Sequence, residues 1–405
     1  MSKKIKSIKA KEILDSRGNP TVEIEARSEN FLVKAGVPSG ASTGKLEAKV
    51  IDVGQAVKNV NEIIGPQLIG KDPCEQKKID DFLIELDNTE NKSNLGANAI
   101  IGVSMAIAKL GAMSKNIPLW RYISQYLEVE PPNIPNIPLA AFNIVNGGAH
   151  ADNDLDIQEF MIVPQSDSFA ENFQIAKDIY QSLGNTLKGK FGEIELGDEG
   201  GFSPPISSIK QALNLITQAI ERIDTNTRKT KIILDCAASQ FEENGKYQIG
   251  DSLFSKEELL NFYSDLISKY PIIALEDPFG EEDWQGFQLI YKELGDKVTI
   301  IGDDLLVTNP KKIKEAAEKT ACNGVIIKVN QIGTVSEAIE AVKLAKSFSW
   351  KIMVSHRSGE TLDDFIADFA VGVGADFIKS GAPATPFRLA KYNRLLEIEQ
   401  EICIN

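Results

Sequence analysis

From residue 231 onward, short β-branched runs alternate with helical stretches, and each run ends in a charged or polar residue. The residues that end these runs are Asp235, Glu276, Asp303, Lys328, His356 and Lys379. Nearly continuous apolar strands separated by helices are typical of a parallel sheet covered by helices. A β/α barrel fits this pattern best, because its active site collects residues from the carboxyl ends of many strands. The pattern therefore predicts an α/β fold with charged side chains at the mouth of a barrel.

The first third of the chain has a different pattern. Residues 5–37 alternate apolar and polar side chains around a turn-forming segment at residues 16–20, which predicts an antiparallel meander. Helical periodicity follows over residues 56–68, 76–86, 97–113 and 119–127. A run rich in proline and asparagine at residues 131–138 then interrupts both patterns. We predict an N-terminal α+β domain of residues 1–134 and a C-terminal barrel domain of residues 135–405.

Charge and cysteine content limit the partners and the location of the chain. Lysine and arginine total 44 against 58 aspartates and glutamates, so we expect no nucleic-acid partner. The four cysteines form no C-x-x-C pair, which argues against a disulfide framework and favours a reducing cytoplasm. An N-terminus rich in lysine and the lack of a long uninterrupted apolar run argue against a cleaved signal peptide and a membrane span. An additional cell-surface location stays open.

Three acids end successive strands of the predicted barrel. Asp235, Glu276 and Asp303 would converge in one mouth as hard oxygen ligands, which is the donor set that Mg²⁺ prefers. Each acid taken alone could instead cap the helix that follows it. Three acids on consecutive strands, followed by lysines on later ones, favour the metal site.

Two lysines end strands that should be buried. A buried lysine such as Lys328 or Lys379 is costly unless it has partners or a chemical role. Close to bound cations, the lysine pKa falls, and the neutral amine becomes a base. The alternative is a structural ion pair between either lysine and one of the acids.

Polar loops add further candidates. Glu199 lies among glycines in residues 197–202, where the backbone can approach a ligand closely or simply form a tight turn. His150 follows a pair of glycines, and Gln158 and Glu159 lie further along the same loop. The segment from His356 to Ser358 offers an arginine fork and a hydroxyl suited to a phosphate. Together these loops predict a site for a small phosphorylated acid.

The sequence as a whole resembles the enolase family, the glycolytic phosphopyruvate hydratases. The resemblance rests on sequence motifs that match those of the family and occur in the same order. They lie at residues 13–23, 37–44, 146–152, 197–202, 276–279, 328–334, 355–360 and 389–393. It implies reversible dehydration of 2-phospho-D-glycerate to phosphoenolpyruvate in glycolysis and gluconeogenesis. It also implies an enolase-type β/α barrel with an unusual first turn and an N-terminal α+β capping domain.

The resemblance also implies roles for individual residues. Lys328 would remove the C2 proton of the substrate, and Glu199 would be the acid that helps the C3 hydroxyl leave. The first of two Mg²⁺ ions would be bound by Asp235, Glu276 and Asp303, and the second, which binds with substrate, would contact Ser42 on a mobile loop. The substrate site would be lined by His150, Gln158, Glu159, His356, Arg357, Ser358 and Lys379. The two ions suit the chemistry, because proton removal beside a carboxylate creates a dianionic ene-diolate that needs concentrated positive charge.

The chain departs from the family pattern in two places. The segment after Ala48 is shorter than usual, which bears on closure of the Ser42 loop. Residues 384–387 replace a charged Arg-Ser-Glu run close to the expected subunit contact. We expect a homodimer in which Phe387 supplies apolar burial, the alternative being that Phe387 packs inside its own subunit. Two other functions stay open: another carboxylate enzyme of the same superfamily, such as a racemase or ammonia-lyase, and a non-catalytic structural or surface-binding protein.

Overall fold

A computed structural model describes residues 4–40, 47–127, 136–224 and 230–404. Ser42 and most of the predicted boundary run at residues 131–138 lie outside these ranges. The N-terminal unit opens with the strands β1 (Ser7–Leu14), β2 (Pro20–Arg27) and β3 (Leu32–Gly36). They pair antiparallel in the order β1-β2-β3, which confirms the predicted meander.

Helices of the N-terminal unit cover one side of this sheet. They are α1 (Val53–Asn59), α2 (Gly65–Leu68), α3 (Gln76–Asp87), α4 (Ala97–Lys115) and α5 (Leu119–Ser124). The predicted helix over residues 56–68 is interrupted by a π-helical segment, Val60–Ile64. There the Asn61 side chain accepts from the Ala10 N–H at 2.9 Å and donates to the Ala10 carbonyl at 3.0 Å. It thereby provides hydrogen-bond partners for both backbone polar groups of Ala10 on strand β1.

Helix α4 is the central helix of this unit. By length and composition alone it could cross a membrane, with a mean hydropathy of 1.4, but 89% of that stretch is buried within the protein. A helix that is apolar on all sides is typical of a protein core. Gly102 allows its close approach to the sheet, because a Cβ there would lie 2.7 Å from the Ile24 side chain. Helix α4 is therefore the core helix of the N-terminal unit.

The C-terminal unit alternates strands and helices. In chain order its elements are β4 (Leu139–Asn146), β5 (Glu159–Val163), α6 (Phe169–Phe191), β6 (Glu195–Leu196), β7 (Phe202–Ser203), α7 (Ile209–Ile223), β8 (Lys231–Asp235), β9 (Glu242–Glu243), β10 (Lys246–Ile249), β11 (Ser252–Phe254), α8 (Lys256–Lys269), β12 (Ile272–Glu276), α9 (Trp284–Leu294), β13 (Thr299–Gly302), α10 (Pro310–Lys319), β14 (Gly324–Ile327), α11 (Val329–Ile332), α12 (Val335–Ser347), β15 (Lys351–Ser355), α13 (Phe365–Gly372), β16 (Phe377–Lys379) and α14 (Pro386–Ile404).

Eight of these strands close into a barrel. Their order is β4-β5-β8-β12-β13-β14-β15-β16, and β16 pairs with β4 to complete the ring. Only β5 runs antiparallel to its barrel neighbours, which is the unusual first turn that the family resemblance implied. All six strands predicted from residue 231 onward are confirmed, whereas β4 and β5 were not recognised as strands.

The barrel is filled and the N-terminal unit caps it. Apolar side chains from the strands occupy its interior, namely Ala141, Met161, Val163, Ile233, Ala274, Ile301, Ile326, Met353 and Phe377. Near the mouth, the backbones of Ser39 and Gly359 exchange two hydrogen bonds of 2.7 and 2.9 Å. Further out, the buried Asp80 carboxylate of α3 accepts from the backbone and the hydroxyl of Ser336 at the start of α12. The predicted α/β barrel with an N-terminal cap is confirmed.

Candidate active site

Strand register brings the predicted carboxylates to one edge of the barrel. Asp235 pairs with Glu276 across the parallel β8 and β12. Glu159 pairs with Asp235 on the other side, although it is the first residue of its strand. Because β5 runs antiparallel to the rest, its first residue lies at the same mouth as the last residues of its neighbours. Asp303 directly follows β13, the next strand around the ring.

Lys379 lies at the centre of this carboxylate group. Its Nζ is 2.8 Å from both carboxylate oxygens of Glu276, and 3.2 Å from Asp235 Oδ2 and Glu159 Oε2. Burial alone would lower the lysine pKa, but the surrounding carboxylates raise it well above its ordinary value. Burial and the repulsion of Asp235 raise the pKa of Glu276 well above its ordinary value, although Lys379 opposes them. The ammonium thus supplies positive charge where a cation is predicted.

Lys328 and Asp303 form a second buried pair. Lys328 Nζ donates a short hydrogen bond to Asp303 Oδ2. Burial lowers the Lys328 pKa, but the opposing effect of the Asp303 and Asp304 carboxylates leaves it above its ordinary value, so the lysine is protonated. The backbone N–H groups of Asp303 and Asp304 donate to the buried Asp277 carboxylate at 2.9 and 2.7 Å. Asp277, which was not predicted as a site residue, therefore orients the Asp303 turn.

The alternative of helix capping does not hold for Asp235: the N-cap of the short helical turn after β8 is Ala237, and no side chain caps that turn. The Asp235 Oδ1 atom accepts from the Ala237 backbone N–H at 3.1 Å, while Asp235 Oδ2 faces Lys379 and accepts from Gln158 Nε2 at 3.1 Å. Both oxygens of Glu276 point to Lys379 instead. Asp303 Oδ1 is buried and has no hydrogen-bond partner among the described residues.

The opposite wall combines Glu199 with both histidines of the chain. His356 Nε2 lies 3.1 Å from Glu199 Oε2, and His150 Nδ1 lies 3.9 Å from Glu199 Oε1 and 3.4 Å from Glu159 Oε1. Burial by itself would raise the Glu199 pKa, but His356, His150 and the buried Arg388 guanidinium bring it well below its ordinary value. Burial lowers the pKa of His150, yet Glu159 and Glu199 raise it to about 9.

Arg357 extends the site toward the N-terminal unit. Its Nη1 donates to Glu47 Oε2 and to Asn330 Oδ1, both at 3.1 Å. Gln331 Nε2 also donates to Glu47, at 3.4 Å. Neither Glu47 nor Asn330 was predicted from the sequence, because Glu47 lies 310 residues from Arg357 in the chain and no local pattern connects Asn330 to the arginine.

Gln240, in the loop after β8, is a further residue that was not predicted from the sequence. Its side chain accepts from the backbone N–H of Ala149 at 2.9 Å and donates a short hydrogen bond to Gln158 Oε1. Gln240 thereby ties the loop of His150 to the Asp235 strand. Such a bridge between two loops leaves no sequence signal.

These groups enclose a cavity of about 70 Å³. The predicted site residues that line it are His150, Gln158, Glu159, Glu199, Asp235, Asp303, Lys328, His356, Arg357, Ser358 and Lys379. Glu276 is fully buried beneath it, against Lys379. The structure therefore brings together every predicted site residue within its described ranges.

Two acidic groups in the described part of the chain have ligand atoms close enough to hold a metal ion. One consists of His150, Glu159 and Glu199, and the other of Asp277, Asp303 and Asp304. The predicted set of Asp235, Glu276 and Asp303 is not one of these two groups, and a lysine ammonium lies against each of the three acids. The unpartnered Asp303 Oδ1 and the all-oxygen donor set nevertheless fit a hard divalent cation.

Known proteins share this sequence over nearly its full length. Family models match twice: one described as the enolase N-terminal domain over residues 5–123, and one described as the enolase C-terminal TIM barrel domain over residues 135–405. The chain belongs to the enolase family. It is 47% identical to an enolase of Methanopyrus kandleri over 98% of this chain and 96% of that protein. It is 47% identical to an enolase of Pyrococcus furiosus over 98% and 95% of the two chains, and 46% identical to one of Mastigamoeba balamuthi over 99% and 96%.

Membership assigns an activity to the site. Enolases are phosphopyruvate hydratases, hydro-lyases that interconvert 2-phosphoglycerate and phosphoenolpyruvate in glycolysis. The family uses metal and acts on a phosphorylated acid, which agrees with the carboxylates and the buried cationic groups of this mouth.

Proposed function

We propose that this chain dehydrates 2-phospho-D-glycerate with Lys328 as the base at C2 and Glu199 as the acid at the C3 hydroxyl. The observation that carries the proposal is that these two groups come from different loops and line one small cavity. Lys379, Asp235 and Asp303 line the same cavity, and Glu276 lies beneath it against Lys379. Lys328 can thus remove the C2 proton from one side of a bound substrate while Glu199 protonates the departing C3 hydroxyl from another side. Elimination of water requires both proton transfers.

Lys328 must be neutral before it accepts a proton. In the metal-free protein the Asp303 and Asp304 carboxylates oppose the effect of burial and raise the Lys328 pKa, so the amine is protonated there. Asp303 is also one of the proposed cation ligands, so a change in the charge around this carboxylate acts directly on the lysine. The pair therefore couples the protonation of the base to the state of the acidic cluster.

Glu199 is a carboxylate in the substrate-free site, because its pKa is well below the ordinary value. This is the form that hydration of phosphoenolpyruvate needs, since a carboxylate can take a proton from the attacking water. Dehydration needs the protonated form. An anionic substrate beside Glu199 raises the carboxyl pKa and so favours uptake of that proton.

The substrate phosphate is assigned to Arg357 and Ser358. Arg357 presents a planar fork that matches a phosphate, and Glu47 and Asn330 fix its orientation at 3.1 Å. His150, Gln158, Glu159, His356 and Lys379 complete the lining of the substrate site. This phosphate pair argues against the alternatives of a racemase or an ammonia-lyase.

We assign the first Mg²⁺ to Asp235, Glu276 and Asp303, and the second, bound with substrate, to Ser42, which lies outside the described residues. Bound Mg²⁺ supplies the positive charge that stabilises the dianionic ene-diolate. The mouth already holds Lys328 and Lys379 against its carboxylates, so the chain itself provides part of that charge.

Three further properties belong to the same proposal. The domain boundary lies between residues 134 and 135, the enzyme works in the cytoplasm, and it is a homodimer. The dimer contact includes the segment of Phe387, which is only half-buried within its own subunit and so leaves apolar surface for a partner.

The test is the formation of phosphoenolpyruvate, followed by the ultraviolet absorbance of the enol phosphate. Purified chain with 2-phosphoglycerate and Mg²⁺ should show growing absorbance, and EDTA should abolish it. Glycerate, which lacks the phosphate, is the matched control and should not react. No absorbance change with 2-phosphoglycerate, or equal turnover of glycerate, would overturn the proposed function.

A further inference from the structure

Arg388 is a fully buried arginine in the first turn of α14, behind the site. This placement is unfavourable in two ways: burial removes hydration from a permanent charge, and the dipole of the helix disfavours a cation near its N-terminus. A residue held at such cost needs specific partners. The proposed mechanism gives Arg388 no role in binding or catalysis.

Every N–H of its two terminal nitrogens has an acceptor. Nη1 contacts His356 Nδ1 at 2.5 Å and donates to the Arg357 carbonyl at 2.6 Å. Nη2 donates to the carbonyls of Ser358 at 2.6 Å and of Asp198 at 3.1 Å. A single guanidinium thus joins the His356 segment to the loop that carries Glu199.

The contact with His356 has a definite chemical consequence. An arginine in a protein stays protonated and can only donate, so His356 Nδ1 must accept through its lone pair. In a neutral imidazole the other nitrogen then carries the proton. This places the His356 N–H on Nε2, which lies 3.1 Å from Glu199 Oε2 and has no well-aligned hydrogen-bond partner among the described residues.

We propose that Arg388 is a positioning residue that holds His356 in its Nε2–H form, so that the ring presents a proton to Glu199 and to the substrate. The inference rests on the proposed function of Glu199. It adds a specific residue that sets the protonation geometry of the acid side of the site. The same guanidinium fixes the backbone carbonyls of Arg357 and Ser358, the residues assigned to the phosphate.

Other charges around the ring agree with this assignment. Burial and Arg388 lower the pKa of His356 to about 4, against the opposing effect of Glu199 and of the more distant Glu360. A doubly protonated ring would place an N–H of Nδ1 against an N–H of Arg388, so the imidazolium is disfavoured as long as the arginine is present.

Histidine-selective ¹⁵N labelling tests the proposal directly, because the chain contains only two histidines. Long-range ¹H–¹⁵N correlation spectra of the full-length, Mg²⁺-loaded protein distinguish the two neutral tautomers and the imidazolium. A His150→Asn variant assigns the signals. We expect the Nε2–H form at His356 at neutral pH, and a wild-type spectrum with the Nδ1–H form or the imidazolium would overturn the proposal without any Arg388 variant.

Arg388→Met keeps an unbranched stem but removes the donors. It should shift His356 toward the other tautomer or the imidazolium. The expected fall in kcat is roughly 10–100-fold, the size of effect seen when a residue that orients a metal-bound histidine is removed. Arg388→Lys should restore part of the Nε2–H tautomer and part of the lost kcat. If Arg388→Met does not fold, the Arg388→Lys variant and the wild-type spectrum test the proposal instead. An unchanged His356 spectrum in a folded Arg388→Met protein would refute the positioning role.

Arg394→Met is the matched control. Arg394 lies on the same helix and forms ion pairs with Asp368 and Glu401, away from His356. Its loss should leave the His356 tautomer unchanged. The spectra do not depend on turnover. The tautomer of His356 therefore tests the role of Arg388 even if the protein does not dehydrate 2-phosphoglycerate, and the activity assay tests the proposed function separately.

Discussion

Replacing Lys379 with methionine should strongly destabilise the metal-free protein. The ammonium is buried within 3.2 Å of three carboxylates, those of Glu159, Asp235 and Glu276. Removing one partner of a buried ion pair typically costs about 3–5 kcal/mol, because it leaves uncompensated charge. We expect a loss in this range in the free energy of unfolding at neutral pH in EDTA. The loss should shrink at lower pH, since the Glu276 carboxyl, whose pKa is already raised, then takes up a proton.

Mg²⁺ should restore much of this loss if the same carboxylates bind the cation. A ligand present at 100 times its dissociation constant stabilises by about 2.7 kcal/mol. Lys391→Met is the matched control: Lys391 is equally buried and bonds Glu360 at 2.6 Å, but it lies outside the carboxylate group. Chemical denaturation with and without Mg²⁺ measures both variants. Equal responses of the two variants to Mg²⁺ would refute the assignment of these acids as the cation site.

Three other changes give separate tests. Asp303→Asn should raise the Mg²⁺ concentration needed for activity, because one charged ligand becomes neutral; an activity curve that does not move along the Mg²⁺ axis would contradict the assignment. The pKa of His150 is raised from 6.5 to about 9 in the fold, so protonated His150 stabilises the metal-free protein by about 3 kcal/mol below pH 6.5 and loses this contribution as pH rises through 9. The stability difference between wild type and His150→Asn should shrink accordingly in denaturation curves, and a difference constant with pH would show that the ring is not charged. Phe387→Glu should dissociate the homodimer, whereas salt should have little effect on the wild-type dimer. Burying an aromatic side chain contributes about 1.5–3 kcal/mol, while exposed ion pairs, which salt weakens, contribute about 0–1. Light scattering that shows a wild-type monomer, or a wild-type dimer that salt dissociates, would contradict this.

The strand-end pattern predicts much of the fold and most of the site, for a physical reason. In a parallel barrel, residues that directly follow apolar strands must meet at one mouth, so Asp235, Glu276 and Asp303 could be grouped from the sequence alone. The pattern fails at β5, where Glu159 precedes an apolar run rather than ending it. Only the antiparallel direction of β5 brings that residue to the mouth.

The partners of the charged groups could not be predicted in the same way. The sequence allowed an ion pair between a lysine and an acid but did not show that Lys379 contacts three carboxylates. Arg357 meets Glu47, which is 310 residues away in the chain, through the packing of the two units. Arg388 looks like an ordinary helical residue until its burial behind His356 is seen. Such contacts depend on how distant elements pack and leave no local pattern.

Exchange of the substrate C2 proton with solvent tests the central claim most directly, since it isolates the step assigned to Lys328 from the step assigned to Glu199. Each variant is incubated with 2-phosphoglycerate and Mg²⁺ in deuterated water, and the C2 position is followed by NMR. Lys328→Ala should lose both exchange and dehydration, with turnover lower by about 10² to 10⁴. Glu199→Gln should retain exchange while losing dehydration. Exchange that persists at the wild-type rate in Lys328→Ala would contradict the account, because another group would then be the base.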